Sequence, residues 1–268
     1  MNRLYTLVTG GSMGIGKAMA IECALRKHNI LIVALPGPEL EETTREIKEK
    51  FDVETDFFAI DLSESYAPEK VYLWCKKNNY QVNFLINNAG VAGSTSFEFS
   101  EPSYSDIRIL VNVRALVLLT KYFIPMLKEQ QKSYILNIGS LSAYYAIPYK
   151  AVYSSTKAFV LHFSMAIRQE LRNSGISVCV VCPNGVHTND GTFSRIKAHG
   201  LMGRLTQISA DELARVTIKE VYSGKAVIIP KLINRFLLLL ARFIPASLEQ
   251  KILGREFEKE MKINRQMY

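Results

Sequence analysis

The strongest constraint on the fold lies at the start of the chain. A short apolar run at residues 4–8 passes straight into Thr9-Gly10-Gly11-Ser12-Met13-Gly14-Ile15-Gly16. A helical pattern through residue 27 and a second apolar run at residues 30–35 follow. A strand, a glycine-rich turn, a helix and another strand in this order make a βαβ unit, whose two strands must lie parallel. Glycines at that turn let the backbone bend tightly, and they let a pyrophosphate approach the helix N-terminus, where N–H groups lack intrahelical partners. The plain alternative is a tight connection with no ligand. The surrounding strand and helix favour a dinucleotide site, and Ser12 inside the turn offers a further hydroxyl donor.

The alternation continues. A charged helix is expected over residues 39–51, a strand over 53–61, a helix over 68–79 and a strand over 83–89, which ends in Asn87-Asn88-Ala89-Gly90. One long helix is expected over 103–131, then strands at 133–140 and 176–183, a helix near 210–222 and a last strand at 226–230. Strands separated by helices throughout predict an α/β fold, a single doubly wound parallel sheet (Rossmann fold) with helices on both faces and a C-terminal helical tail. No linker or internal repeat divides the chain. The expectation is one domain over residues 1–268, with a core at 1–230 and a helical extension at 231–268. A chain of 268 residues that is 48% hydrophobic supplies core enough for one such domain.

The charge is +8, from 33 Lys and Arg against 25 Asp and Glu. No basic run is interleaved with aromatic residues, so the excess reads as solubility and no nucleic-acid partner is expected. Cys23, Cys75, Cys179 and Cys182 fall inside predicted elements, and Cys179-Val-Val-Cys182 has neither a zinc nor a thioredoxin spacing. Reduced structural thiols and no metal site are expected. The sequence enters its first strand with no apolar signal core before it, which makes the cytoplasm the default expectation.

The chemistry concentrates in residues 136–160. Tyr153 and Lys157 are four apart, so on a helix they share a face. A free phenol with a pKa near ~10 is a poor base at neutral pH, and a neighbouring ammonium favours its ionised form. Ser140 ends the strand before this helix, where open α/β sheets place their ligands, and its hydroxyl can donate to a carbonyl oxygen that gains charge. Together the three groups describe a device for giving a proton to a carbonyl or taking one from an alcohol. A lone Tyr-x-x-x-Lys pair is more often plain helix surface, and the strand before it and the nucleotide turn upstream give it weight. Asn112 interrupts the apolar stretch LVNVRALVLL and needs partners if buried, as a packing device or part of a polar relay. Asp61 ends its strand, either to bond an adenine amino group or to cap the next turn.

These motifs resemble the short-chain dehydrogenase/reductase family over residues 4–230. The matching pieces are TGGSMGIG, Asp61-Leu62, NNAG at residues 87–90, Asn112, Ser140, the Tyr153/Lys157 pair and CPNGVHT at 182–188. The resemblance implies an enzyme that moves a hydride between a nicotinamide cofactor and an alcohol or carbonyl. It implies Tyr153 as general acid/base, Lys157 on the phenol and the nicotinamide ribose, Ser140 on the substrate oxygen and Asn112 anchoring a proton-passing water. It further implies a pyrophosphate cradle from Gly10, Gly14 and Gly16 with Ile15 beside them. Cofactor contacts also follow for Asp61, Asn88, Ala89, Gly90 and Val186, with Thr188 on the carboxamide. One departure is Pro183-Asn184-Gly185, where members often have Pro-Gly.

NADP is expected over NAD, which is not excluded, because Leu35-Pro36-Gly37-Pro38 stands where NAD-binding chains place a carboxylate. No arginine clamp replaces that carboxylate, and Glu39 can swing back. Tyr144, Tyr145, Ile147, Pro148, Tyr149, His187, Phe193, Leu201 and Met202 are expected around a fairly apolar ketone or secondary alcohol. The apolar stretch 232–244 is too short for a membrane span. It reads first as a lid or a subunit contact in a homo-oligomer, and second as an amphipathic helix on a membrane surface. A nucleotide-sensing regulator that keeps the fold is the rival function class. Such a chain would be expected to have lost some of Asn112, Ser140, Tyr153 and Lys157, and all four are present.

Overall fold

The computed structural model describes residues 3–187, 206–241 and 243–266. In chain order the elements are β1 (Leu4–Thr9), α1 (Gly14–Leu25), β2 (Asn29–Ala34), α2 (Pro38–Phe51), β3 (Thr55–Ala59), α3 (Ala67–Lys77) and β4 (Gln81–Asn87). Next come α4 (Pro102–Ile109), a π-helical turn (Leu110–Ala115), α5 (Leu116–Lys128), β5 (Ser133–Ile138), a 3-10 turn (Leu141–Tyr144), α6 (Ala151–Glu170) and β6 (Ile176–Val181). The chain closes with β7 (Val186–His187), β8 (Ile208–Ser209), α7 (Ala210–Tyr222), β9 (Val227–Ile228), α8 (Leu232–Ala241) and α9 (Ala246–Gln266).

Seven strands form one parallel sheet in the order β3-β2-β1-β4-β5-β6-β9, and β7 pairs with β8 apart from it. The chain winds outward from β1 in one direction and then, from β4, in the other. The crevice where the order reverses opens at the C-terminal ends of β1 and β4, the usual place for a ligand in an open α/β sheet. The doubly wound parallel sheet predicted by the alternation is the fold that forms.

The strands read as nearly continuous apolar runs because both faces are covered. Their side chains alternate between two cores. Val8, Ile32, Phe84, Ile86, Leu136 and Val181 meet Met19 and Cys23 of α1 and Ile218 of α7. Leu7, Leu31, Leu85, Ile135 and Val178 meet Val71 of α3 and Leu119, Phe123 and Leu127 of α5. The period of two along each strand therefore assigns every helix to a face. All four cysteines are free and buried.

The expected helix over 103–131 is corrected to two α-helices around a π turn. A π turn spaces its hydrogen bonds one residue wider than an α turn, and the apolar periodicity of this stretch does not betray it. The last strand is likewise shorter than the expected 226–230, since only Val227 and Ile228 pair, with Val180 and Val181.

A buried polar chain ties the middle of the sheet to α6. The Asn87 amide donates to Thr120 Oγ1 (3.1 Å) and Asn137 Oδ1 (2.9 Å). Asn137 in turn donates to Ser164 Oγ (2.9 Å), and Ser164 donates to the Val160 carbonyl. An interior amide left without partners costs about 1–3 kcal/mol. Asn137→Leu should therefore lower unfolding free energy by roughly that amount in a urea titration. An unchanged midpoint would mean the chain carries no net weight.

Candidate active site

The nucleotide end is built by close backbone approach. Gly10 and Gly14 adopt φ of 61° and 56°, a region that side chains disfavour. Met13 caps α1 without a side-chain hydrogen bond, and the first turn of α1 has no acidic residue. Its leading N–H groups stay available to an anion. A Cβ on Gly16 would lie 2.1 Å from the Gly10 carbonyl oxygen and 2.4 Å from Asn88 Nδ2. Gly16 thus lets α1, the turn and the end of β4 come together, and Ile15 packs partly against the core beside it. Asn88 Nδ2 donates to the carbonyls of Thr9 (2.9 Å) and Gly10 (3.0 Å). The backbone N–H groups of Asn88 and Ala89 both donate to Thr9 Oγ1. The Ser12 carbonyl is held by Thr43 Oγ1 at 2.8 Å. This cradle, with free helix N–H groups and no carboxylate in the first turn, fits the pyrophosphate of a dinucleotide.

Asp61 Oδ1 accepts from the Ser63 N–H at 2.8 Å, so the turn-capping role is the one the structure displays. Val186 is buried in β7, and Thr188 lies outside the described residues. Leu35 is exposed after β2, and Glu39 curls back so that its carboxylate would lie 3.0 Å from a Cβ on Gly37.

Ser140, Tyr153, Lys157 and Asn112 are brought to one place from the end of β5, from α6 and from the π turn. Ser140 leaves β5 in extended conformation, and its hydroxyl accepts from the Ser142 N–H at 3.1 Å. Neighbouring backbone sews this corner to the end of β6, through Gly139 N–H to the Val181 carbonyl and Leu141 N–H to the Pro183 carbonyl. Tyr153 and Lys157 share a face of α6, with the ammonium 5.9 Å from the phenol ring centroid. Lys157 Nζ, 6% exposed as a residue, donates to the Ile138 carbonyl at 2.7 Å. Asn112 is carried on the π turn. Its Oδ1 accepts from Val91 N–H (2.7 Å), and its Nδ2 donates to the Val91 carbonyl and to Thr156 Oγ1. Gly90 separates the two, since a Cβ there would lie 3.2 Å from Asn112 Oδ1 and 3.6 Å from Lys157 Nζ.

The electrostatics differ from the sequence expectation. Burial raises the Tyr153 pKa above 10, a hydrogen bond from Ser140 pulls it down, and the Cys182 thiol raises it. Burial also lowers the Lys157 ammonium to about 8, so desolvation weakens the very cation that the spacing alone credited with ionising the phenol. The raised Tyr153 pKa favours the protonated phenol, the form that gives a proton to a carbonyl.

A cleft opens beside Tyr153, enclosing ≈ 240 Å³ including its open mouth. Tyr149 through Tyr153 form one wall, of which Tyr149 alone belongs to the expected lining, while Tyr144, Tyr145, Ile147 and Pro148 do not line the cleft. Gly93, Thr95, Phe97 and Tyr104 form another wall that sequence reasoning missed. The Thr95 N–H donates to the Tyr149 carbonyl at 2.8 Å and joins the walls. Arg108 stacks on Tyr104, 3.3 Å from the ring centroid, and donates to the Ala92 carbonyl. A Cβ on Gly93 would meet the Arg108 guanidinium at 2.4 Å, so the second wall requires glycine there. The glycine that follows NNAG closely was the one available signal. Burial and the charge of Glu249 in α9 raise the Tyr145 pKa, and a Cβ on Gly254 of α9 would lie 4.0 Å from Pro148. Phe257 of α9 lies 4.4 Å from Lys150 Nζ. Phe193, Leu201 and Met202 lie outside the described residues, as does the side chain of His187.

The depressed Lys157 pKa makes a stability prediction. The unfolded chain binds more protons at this position between pH 8 and the ordinary 10.5. Folding stability from Lys157 therefore rises with pH across that window, and the buried ammonium is a cost below it. A depression from 10.5 to about 8 is worth roughly 3 kcal/mol. Relative to Lys157→Met, the wild-type chain should gain most of that amount between pH 7.5 and 10 in parallel urea titrations. Parallel curves with no relative change would show that Lys157 is not held dry.

The short chain dehydrogenase family model matches residues 5–196. The very-long-chain 3-oxoacyl-CoA reductase of Rattus norvegicus is 35% identical over 192 residues, 69% of this chain and 60% of that protein. The chain thus spans about 60% of the length of the curated relatives it matches. The short-chain dehydrogenase from Sphingobium yanoikuyae in complex with NADPH is 28% identical with a TM-score of 0.76, over 90% of this chain and 96% of that one. The bulky-bulky ketone specific alcohol dehydrogenase from Comamonas testosteroni is 26% identical with a TM-score of 0.75, over 91% of this chain and 96% of that one. With a family match through both the glycine turn and the Tyr153/Lys157 pair, the chain belongs to the short-chain dehydrogenase family of oxidoreductases.

Proposed function

We propose that this chain is an NADPH-dependent carbonyl reductase whose substrate carries an extended apolar body, with 3-oxoacyl thioesters as the leading class. One observation carries the reaction type: the Tyr153 phenol, protonated and hydrogen-bonded to Ser140, borders an open cleft with Lys157 behind it. The substrate class draws on the 3-oxoacyl-CoA reductase relatives and on the Tyr149, Phe97 and Tyr104 lining. When bound, the nicotinamide supplies the hydride. Tyr153 gives its proton to the carbonyl oxygen, and Ser140 donates to the same oxygen as charge builds there. Lys157 holds positive charge behind the phenol and steadies it as the proton leaves. Asn112 faces Lys157 across Gly90, and a solvent-bridged relay between them would return the proton to Tyr153.

Cofactor choice rests on what stands after β2. No carboxylate ends that strand, and α2 begins just beyond it at Pro38, with Glu39 and Glu41 in its first turn. Lys17 is engaged with Glu46 at 2.6 Å, so it is no free phosphate clamp. Glu39 works against NADPH, and discrimination is expected to be modest. Dissociation constants for both reduced cofactors on one preparation test this. NADH binding more than tenfold tighter, ~1.4 kcal/mol, overturns the assignment and makes Glu39 the residue to mutate.

Tyr153→Phe should retain NADPH binding and lose turnover by about three orders of magnitude or more on 3-oxoacyl thioesters, the loss of a positioned acid being of this size. Near-normal turnover in that variant would remove Tyr153 from the reaction. The rival regulator reading predicts cofactor binding with no turnover on any carbonyl in the wild type as well.

A further inference from the structure

We propose that the outward face of α8, continued onto the start of α9, docks on an anionic lipid bilayer. The inner face of α8 is fixed to its own chain. Asn234 is 3% exposed, donates to the Thr206 carbonyl and accepts from Asn184, while Arg235 Nε donates to the Ile229 carbonyl. Among the described residues the other face is left bare. Leu232, Phe236, Leu239, Leu240 and Phe243 recur at the helical spacing and all point outward, with Phe236 56% and Phe243 81% exposed. Leu248 extends the stripe past Pro245 into α9. A contiguous apolar stripe of this kind marks a contact surface.

Charge selects the occupant. Residues 231–244 contain Lys231, Arg235 and Arg242 and no carboxylate, and residues 231–268 hold eight Lys and Arg against four Glu. The extension thus contributes +4 of the chain's +8. A two-fold contact between copies would set this basic stretch against itself, with no acid inside residues 231–244 to offset its three cations. Anionic headgroups satisfy the cations while the acyl boundary takes the phenylalanines and leucines. Ten residues of helix reach about 15 Å, half the hydrocarbon thickness, so α8 lies on the surface and does not cross it. The longer apolar helix formed by residues 102–128 offers no rival, because Leu119, Phe123 and Leu127 are buried against the sheet.

The test uses the full chain and vesicle flotation, with phosphatidylcholine alone and with one-third phosphatidylserine. Flotation with the anionic vesicles is expected, weakened by high salt as headgroup attraction is screened. The double variant Phe236→Glu, Phe243→Glu should bind at least ~10-fold less, since two apolar anchors are replaced by charges of the headgroups' own sign. Both positions are solvent-facing, and an unchanged melting curve shows the variant is folded. Absent flotation of the wild type, equal flotation of wild type and variant, or equal binding to neutral vesicles each overturns the proposal. A dimer in sedimentation that the double variant splits, with no flotation, reassigns the face to a subunit contact.

Discussion

Everything in the crevice depends on how closely three pieces of backbone approach one another. The turn after β1, the first residues of α1 and the end of β4 meet where Gly16 has no side chain and Asn88 reaches back to the carbonyls of Thr9 and Gly10. That contact fixes the path of Ala89 and Gly90, and Gly90 then fits between Asn112 and Lys157. The nucleotide cradle and the proton-handling cluster are therefore two ends of one rigid junction. A methyl group at Gly16 would press on the cradle first and on the catalytic corner through Asn88.

The features legible in the sequence share a physical origin. Alternating strands and helices, the glycine turn and the i, i+4 pair on α6 are local patterns, and local patterns survive into the fold because parallel sheet and helix each impose a fixed period. The features that were not legible are contacts between distant residues. Nothing near Asn137 in the sequence announces Asn87 and Ser164 as its partners. Tyr104 and Arg108 look like an ordinary helix start until Gly93 is seen to pack on their side chains. The depth of one charge was hidden for a related reason. Spacing shows that Lys157 neighbours Tyr153, whereas the depth of burial that weakens its charge belongs to the assembled protein.

The C-terminal extension shows the same division. Its helices and basic residues are visible in the sequence, and so is the insufficiency of its apolar run for a membrane span. Which face turns inward depends on Asn234 and Arg235, the two polar residues of α8, whose bonds to Thr206, Asn184 and Ile229 orient the helix on the protein. With those residues anchored, Phe236 and Phe243 are left exposed among the described residues.

The π turn at Leu110–Ala115 has a consequence for how this protein can change over time. Such a turn amounts to one residue inserted into a regular helix, and it offsets everything downstream by roughly 100° of rotation. Asn112 looks toward Val91 and Thr156 while Leu119, Phe123 and Leu127, a turn or more later, still face the sheet. A straight helix could not serve both directions with this sequence. Loss of a single codon here would leave composition and hydropathy almost untouched, yet it would put the two halves out of phase. Length, more than residue identity, is what lineages descending from this chain must conserve across that turn.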